Sequence, residues 1–350
     1  MVEPTRRRLL AATAGAVAGL AGCSAGRRDS PDPVERTTPS GDRSSAYTEV
    51  YEATIDSIAF VGGTAGGGSG FVYDDYVVTN QHVAGDAETM DVRFEDGIWR
   101  EAGVVATDVY ADLAVLSTDV PGDATPLRFV EEIPPVGTEV VALGSPFGLE
   151  SSVSTGIISG RDRALRSPSG FSIPNTVQTD AGLDPGNSGG PLLTLDGAVT
   201  GIAVAGAGTS VGFAVSPLLA RRVLPELIET GSYGHPFLGI SLQPVGPAVA
   251  EANDLDAARG VIVVEVLEAG PDDQTLQGSD GETTVDGRPV PIGGDVIVGL
   301  AGNEIRSDTD LGTTLALSLS PGDRAEATVI RDGERREITV PIGTRPAPEG

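Results

Sequence analysis

Between residues 55 and 217 the chain is a succession of short apolar runs cut by turn dipeptides, with little helical period. "YVVT" (76–79) and "LAVL" (113–116) are runs of aliphatic and β-branched side chains. "EDGIW" (95–99) and "LDGAV" (195–199) set an Asp-Gly pair beside such runs, and Asp-Gly accepts the positive φ angles that tight hairpins need. Regularly spaced short strands favour a sandwich or a closed barrel, because an open sheet of them would leave its edges unpaired. The middle of this chain is therefore mainly β.

One stretch inside it does not read as an ordinary turn. In "LDPGNSGGPL" (183–192), Ser188 is flanked by Gly186, Gly189 and Gly190 and by Pro185 and Pro191. Glycine allows sharp turning and close backbone approach, so such a frame can aim N–H groups into a pocket beside a serine hydroxyl. A serine nucleophile needs a neighbouring base, and imidazole, with a pKa near 6.5, suits neutral pH. The chain has two histidines. His82 follows the strand "YVVT" at a turn, a common position for a catalytic group, whereas His235 lies in "TGSYGHP" without comparable neighbours and reads as structural. Asp112, just before "LAVL", stands at the mouth of a buried strand and could orient the imidazole; Asp108 is the rival carboxylate. The order His82, Asp112, Ser188 is that of chymotrypsin-type proteases.

"TNQHVAG", "DLAVL" and "GNSGGPLLTLDGAVTGI" resemble the three catalytic segments of the HtrA/Deg family of serine proteases. "GSGFVYDDYVVTNQHV" (from Gly68), "VALGSPFGLESSVSTGIISG" and "GFAVSP" resemble the family's strand pair, second-barrel entry and closing strand. The resemblance implies two perpendicular antiparallel β-barrels over residues 47–230, with the active site in the cleft between them. It implies His82 as general base, Asp112 as orienting acid, Ser188 as nucleophile and the backbone N–H groups of Gly186 and Ser188 as oxyanion donors, with no cofactor.

After a helix expected from Ser216, with Leu218, Leu219, Val223, Leu224 and Leu227 as its apolar stripe, a second region begins. "GVIVVEVLEAGP" and "GGDVIVGLAGNEI" read as strands, "SDTDLGTTLALSL" as a helix capped by Ser307, and the segment around Asp332-Gly333 as a hairpin. These make a small α+β domain, placed at 236–343. Its element order, with "FLGI" at the head, resembles a PDZ domain. That resemblance implies a peptide site at Phe237, Leu238, Gly239, Ile240 and Leu315, between a strand at Ile240–Pro244 and a helix wall of Leu311, Leu315 and Leu319. The acidic stretch 272–292 is longer than the link usual there, and its acidic part 277–287 reads as a solvated loop.

Residues 1–22 read as an export signal of the twin-arginine type: three arginines, then an apolar stretch of thirteen residues from Leu9 to Ala21, too short to span a bilayer comfortably. "LAGC" resembles a lipoprotein box and makes Cys23 the candidate lipidation site, with residues 23–46 as a disordered tether. Cys23 is the only cysteine, so no intrachain disulfide forms. One Cys and two distant His offer no zinc site, and the acids of "QGSDGETTVDG" lack EF-hand spacing, so no metal is expected.

Charge sets the environment. The formal net charge is −27, and all 23 basic residues are arginine. Such acidity repels nucleic-acid phosphates and anionic membrane surfaces, leaving the lipid anchor as the expected membrane contact. Loss of lysine with excess acid resembles proteins of extreme halophiles, here of a haloarchaeal type. The expected protein is a lipid-anchored serine endopeptidase on the external face of the cell membrane, degrading unfolded polypeptides. Family resemblance suggests a trimer, with Tyr47 and Tyr51 as candidate contacts. The alternative is a catalytically idle chaperone that captures peptides. The charge itself gives a prediction: since molar salt shortens the screening length to about 3 Å, the thermal midpoint rises between about 0.1 and 3 M KCl. A calorimetric series in KCl checks this, and a flat curve removes the salt-adaptation argument.

Overall fold

The computed structural model describes residues 45–63, 66–145, 152–184, 186–204, 211–271 and 275–348. The export segment, Cys23 and nearly all of the tether lie outside the described residues. Among the described residues no helix is long and apolar enough to cross a membrane.

Helix α1 (Ala46–Thr54) leads into the first barrel. Its strands are β1 (Ile58–Gly63), β2 (Gly66–Tyr73), β3 (Tyr76–Thr79), β4 (Thr89–Arg93), β5 (Trp99–Asp108) and β6 (Leu113–Ser117), with the short helix α2 (Gln81–Ala84) after β3. They close in the order β1-β2-β3-β6-β5-β4, every pair antiparallel. The second barrel comprises β7 (Glu139–Gly144), β8 (Ser152–Arg166), β9 (Ser172–Thr179), β10 (Pro191–Thr194), β11 (Val199–Val204) and β12 (Gly212–Val215), closed as β10-β11-β12-β9-β8-β7. The short strands therefore resolve into two closed antiparallel barrels.

Each barrel has its own interior: Val61, Val72, Val77 and Val92 in the first, Val140, Ile158, Val177 and Leu192 in the second. A third cluster joins them, with Phe71, Leu113 and Val115 of the first barrel against Leu143, Leu193 and Ile202 of the second and Leu219, Val223 and Leu224 of helix α3 (Pro217–Thr230). Strand β6 is buried on both faces, which is why "LAVL" is continuously apolar rather than alternating. Helix α3 starts at Ser216, whose hydroxyl accepts the Leu219 N–H, and ends at Gly231 in the left-handed region. Tyr47 and Tyr51, expected at a subunit contact, pack against this chain's own joining cluster. The Tyr47 hydroxyl is hydrogen-bonded to Glu139, which holds the phenol above its ordinary pKa.

The C-terminal region is built on a sheet in the order β14-β15-β18-β20-β21, formed by β14 (Ile240–Pro244), β15 (Val261–Val266), β18 (Val296–Leu300), β20 (Arg324–Arg331) and β21 (Glu334–Pro341). Short β13 (Pro236–Phe237) pairs with β22 (Gly343–Thr344), β19 (Asn303–Glu304) pairs with β18, and helices α4 (Pro247–Ala252) and α5 (Asp308–Ser318) complete the unit. Ser307 caps α5 in a capping box with Asp310, and β20 turns into β21 through Asp332-Gly333 at φ 54° and 75°.

Two expectations change here. Residues 277–287 read as a solvated loop, yet 281–292 form a hairpin of β16 (Gly281–Val285) and β17 (Arg288–Ile292), turned by Asp286-Gly287 with positive φ. Leu319, placed on the helix wall, is the extended residue after α5 and lies in the domain's own core.

The two parts of the folded chain are fastened together. Arg222 on α3 donates from Nε to the Tyr233 hydroxyl at 2.8 Å, from one terminal nitrogen to the Leu317 carbonyl at 2.7 Å, and from the other to Leu319 O and to Ser320 Oγ at 2.9 Å. A cation against the last carbonyls of α5 also suits the negative end of its dipole. Charged hydrogen bonds contribute about 1.5–3 kcal/mol. Arg222→Ala is expected to lower stability by about that much, while Arg221→Ala, whose bonds are exposed and 3.4 Å long, costs no more than about 0.5 kcal/mol. Urea denaturation of both variants checks the ranking.

Candidate active site

His82 and Asp112 are brought together by the register of β3 against β6. Thr79 pairs with Ala114, so the residues just beyond β3 run beside those just before β6. Asn80 is extended, and its carbonyl accepts the N–H groups of Val83 and Ala84, starting the single turn of α2 that Gly85 ends. His82 therefore sits on one helical turn, where a simple turn was expected. Its Nδ1 lies 2.8 Å from Asp112 Oδ2, and Asp112 Oδ1 accepts the His82 backbone N–H at 3.0 Å. Asp112 is fully buried, so these donors replace the water its carboxylate has lost. With Nδ1–H directed at the carboxylate, the neutral ring turns the Nε2 lone pair outward, where it can accept a proton.

The backbone at Asp112 has φ 55°, in the left-handed region that Asp tolerates better than most residues. Asn80 Nδ2 donates to the Asp112 carbonyl at 2.8 Å and helps hold this conformation. Asn80 thus starts the helix bearing His82 and restrains the residue that orients it. Sequence reasoning did not single it out, although an Asn two residues before the histidine is a plausible cap.

Asp108, the rival carboxylate, goes elsewhere. Its Oδ1 accepts the Ala111 N–H at 2.6 Å, and its Oδ2 lies 2.7 Å from His235 Nε2. His235, read as lacking comparable neighbours, has this carboxylate and the ring edges of Tyr110 and Tyr233, at centroid distances of 5.2 and 4.8 Å. Arg345 lies 4.0 Å over the Tyr110 ring, and burial holds its guanidinium below its ordinary pKa. The His235 group is a junction between the first barrel and the C-terminal domain.

Ser188 is almost fully buried at the start of the turn before β10. The glycines around it are required by contact. A Cβ on Gly189 (φ 85°) would fall 2.2 Å from both Ser69 O and Thr79 Oγ1, and 3.1 Å from Asn80 N. A Cβ on Gly68 would lie 2.7 Å from Val83 Cγ2 and 2.8 Å from Ser188 O. The serine turn, the helix bearing His82 and strand β2 therefore touch backbone to backbone. Gly186, the other expected oxyanion donor, has φ 104°. The arrangement can deprotonate a hydroxyl at an imidazole whose cation the buried carboxylate stabilises.

The expected peptide site is partly redistributed. Phe237 pairs with Gly343 in the sheet, and the Leu238 side chain belongs to the domain core. Gly239 has φ 68°, and a Cβ there would lie 2.3 Å from Gly270 Cα. Ile240 begins edge strand β14, and its side chain packs against the core. Leu315 and Leu311 of α5 line a cavity of about 380 Å³ with Leu242 of β14, and Tyr110, Pro174 and Arg345 close another side of it. Among the described residues no cluster of three His, Cys, Asp or Glu could hold a metal ion.

Residues 68–202 match the model of a trypsin-like peptidase domain, and residues 236–342 that of a PDZ domain. The chain is 38% identical over 286 residues to a probable periplasmic serine endoprotease DegP-like of Ectopseudomonas mendocina, covering 80% of this chain and 56% of that protein. A protein of the same description from Pseudomonas fulva is 36% identical, with 81% and 57% covered. The chain thus spans about half the length of the curated relatives it matches. Among solved structures it is similar to an HtrA-type protease AlgW with tripeptide, at 29% identity and a TM-score of 0.69, covering 87% of this chain and 99% of that one.

The glycine contacts generate a prediction. Gly189→Ala combines an unfavourable φ with a clash against main chain, so it is expected to destabilise the protein by more than about 1 kcal/mol. Gly97→Ala, at φ 74° with open space around it, bears the backbone strain alone and is expected to be milder. Thermal denaturation of the pair checks this.

Proposed function

We propose, from a chain that belongs with the HtrA/Deg serine proteases by its trypsin-like and PDZ domains, that it is a serine endopeptidase acting on unfolded polypeptide. The observation that carries this reading is the 2.8 Å contact of His82 Nδ1 with buried Asp112, beside a serine turn packed against the same helix. In this reading His82 Nε2 takes the Ser188 hydroxyl proton as Oγ attacks the scissile carbonyl. Asp112 keeps the ring in its Nδ1–H tautomer and stabilises the imidazolium. The N–H groups of Gly186 and Ser188 receive the developing oxyanion. Histidine then returns the proton to the leaving amine, and water repeats the cycle on the acyl-enzyme.

Further parts of the proposal rest on sequence features. The arginine-led apolar segment and "LAGC" support export and lipid attachment at Cys23, placing the enzyme on the outer face of the membrane. The relatives' description as periplasmic agrees with export. Net charge −27 carried without lysine supports salt adaptation. The groove between β14 and α5 is the place for an extended peptide, with Ile240 at its head and Leu315 on its wall. Assembly as a trimer is supported by family resemblance.

Ser188→Ala is expected to abolish casein hydrolysis, with a loss on the order of 10⁶-fold, while leaving the fold intact. Retained activity in the purified variant would falsify the assignment. Asp112→Asn is expected to be severe, on the order of 10⁴-fold, and Asp108→Asn mild, because Asp108 serves His235. The reverse ranking in casein or peptide assays moves the orienting acid to Asp108.

A further inference from the structure

Ser69, on β2 of the first barrel, makes contacts that neither barrel needs for its own closure. Its backbone N–H donates to the Ser188 carbonyl at 2.7 Å. Its hydroxyl donates to the Gly186 carbonyl at 2.6 Å and accepts the Ser145 N–H at 2.9 Å. Its own carbonyl accepts the Thr79 hydroxyl at 2.7 Å. The residue is fully buried. One residue of the first barrel therefore grips the serine turn at both of the positions whose N–H groups would form the oxyanion hole.

Gly186 gives this contact its importance. At φ 104° a glycine has no side chain to resist rotation of the peptide planes on either side of it. The plane after Gly186 is held by two hydrogen bonds: its carbonyl faces the Ser69 hydroxyl, and its N–H, that of Asn187, donates to Asp184 O at 3.0 Å. The Ser145 N–H sets the direction of the hydroxyl, because an oxygen that accepts from Ser145 is left to donate towards Gly186. Stabilisation of a developing oxyanion depends on donors aimed beforehand, without reorganisation during reaction.

We propose that Ser69 is a positioning residue for the oxyanion hole: its hydroxyl holds Gly186 by its carbonyl and its N–H holds Ser188 by its carbonyl, so that the two residues bearing the donor N–H groups keep a fixed separation. The proposal rests on the serine-endopeptidase reading. Ser69→Ala removes the hydroxyl bond and leaves the backbone bond to Ser188, so it isolates the first of these restraints.

The experiment compares wild type and Ser69→Ala on a chromogenic peptide anilide, whose acylation limits turnover, and with a peptide boronic acid that forms a tetrahedral adduct on serine. Loss of one oxyanion donor costs about 10²–10³ in kcat, and misaiming one is expected to cost about 10- to 100-fold. KM is expected to stay within about twofold, because the ground-state carbonyl makes little use of these donors. Boronic acid affinity falls in step with kcat, and the acid limb of the pH–rate profile does not move, since His82 and Asp112 are untouched. If Ser69→Ala does not fold, Ser69→Cys, a much weaker donor, carries the same expectation. An unchanged kcat, or a loss expressed in KM or in a shifted pH profile, overturns the proposal. A wild-type chain that neither cleaves the anilide nor reacts with a fluorophosphonate overturns the endopeptidase reading beneath it, an outcome distinct from an active wild type with an unimpaired variant.

Discussion

The candidate catalytic cleft depends on a contact in which main chain lies directly against main chain. Strand β2 of the first barrel meets the serine turn of the second through Gly68, Ser69, Gly189 and Gly190, and added Cβ atoms at the three glycines would come within 3 Å of neighbouring backbone. No pair of ordinary side chains could fill that gap while leaving the two barrels so close. The apolar cluster that joins the barrels supplies the force for the contact, with Phe71, Leu113 and Leu143 packed beside Ile202 and Leu224. The hydrogen bonds of Ser69 and Thr79 give it direction, since apolar burial alone would not set the serine turn to a fraction of an ångström.

Buried acids follow a similar economy. This chain carries 50 acidic residues, and most can remain in water. Three of those that do not, Asp112, Asp108 and Asp295, each face a specific partner: His82, His235 and Arg331. Asp295 is fully buried, and its bond to Arg331 holds that guanidinium above its ordinary pKa. Removing one partner from such a pair leaves a charge without water, which is far more costly than losing an exposed ion pair such as Arg306–Glu304. The barrel, the domain junction and the C-terminal domain are thus each held by one buried carboxylate, and only the first meets His82.

The junction also brings the C-terminal domain against the barrels. Helix α5 packs near β9, where a Cβ added to Gly312 would lie 3.5 Å from Pro174 Cβ, and the cavity beside Leu311 and Leu315 is closed by Tyr110 and Arg345. Tyr110 lies between Asp108 and Asp112 in the chain, so the cavity borders the segment that leads to Asp112.

Much of this was legible in the sequence because it is local or strongly patterned. Period, turn dipeptides and caps determined the short strands, the Ser307 cap of α5 and the Asp332-Gly333 hairpin, since each depends on neighbours a few residues away. The glycine frame of Ser188 and the order of His82, Asp112 and Ser188 pointed to the site. Tertiary structure decided the rest. Two carboxylates four residues apart look alike in sequence, and only the β3–β6 register sends Asp112 to His82 while Asp108 meets a histidine more than a hundred residues away. The same helical spacing fits Leu319 to a groove or to a core, and three-dimensional packing assigned it to the core. Ser69 shows the limit most plainly: nothing beside it in the chain marks it, because its partners at 145, 186 and 188 become neighbours only when two barrels close against each other.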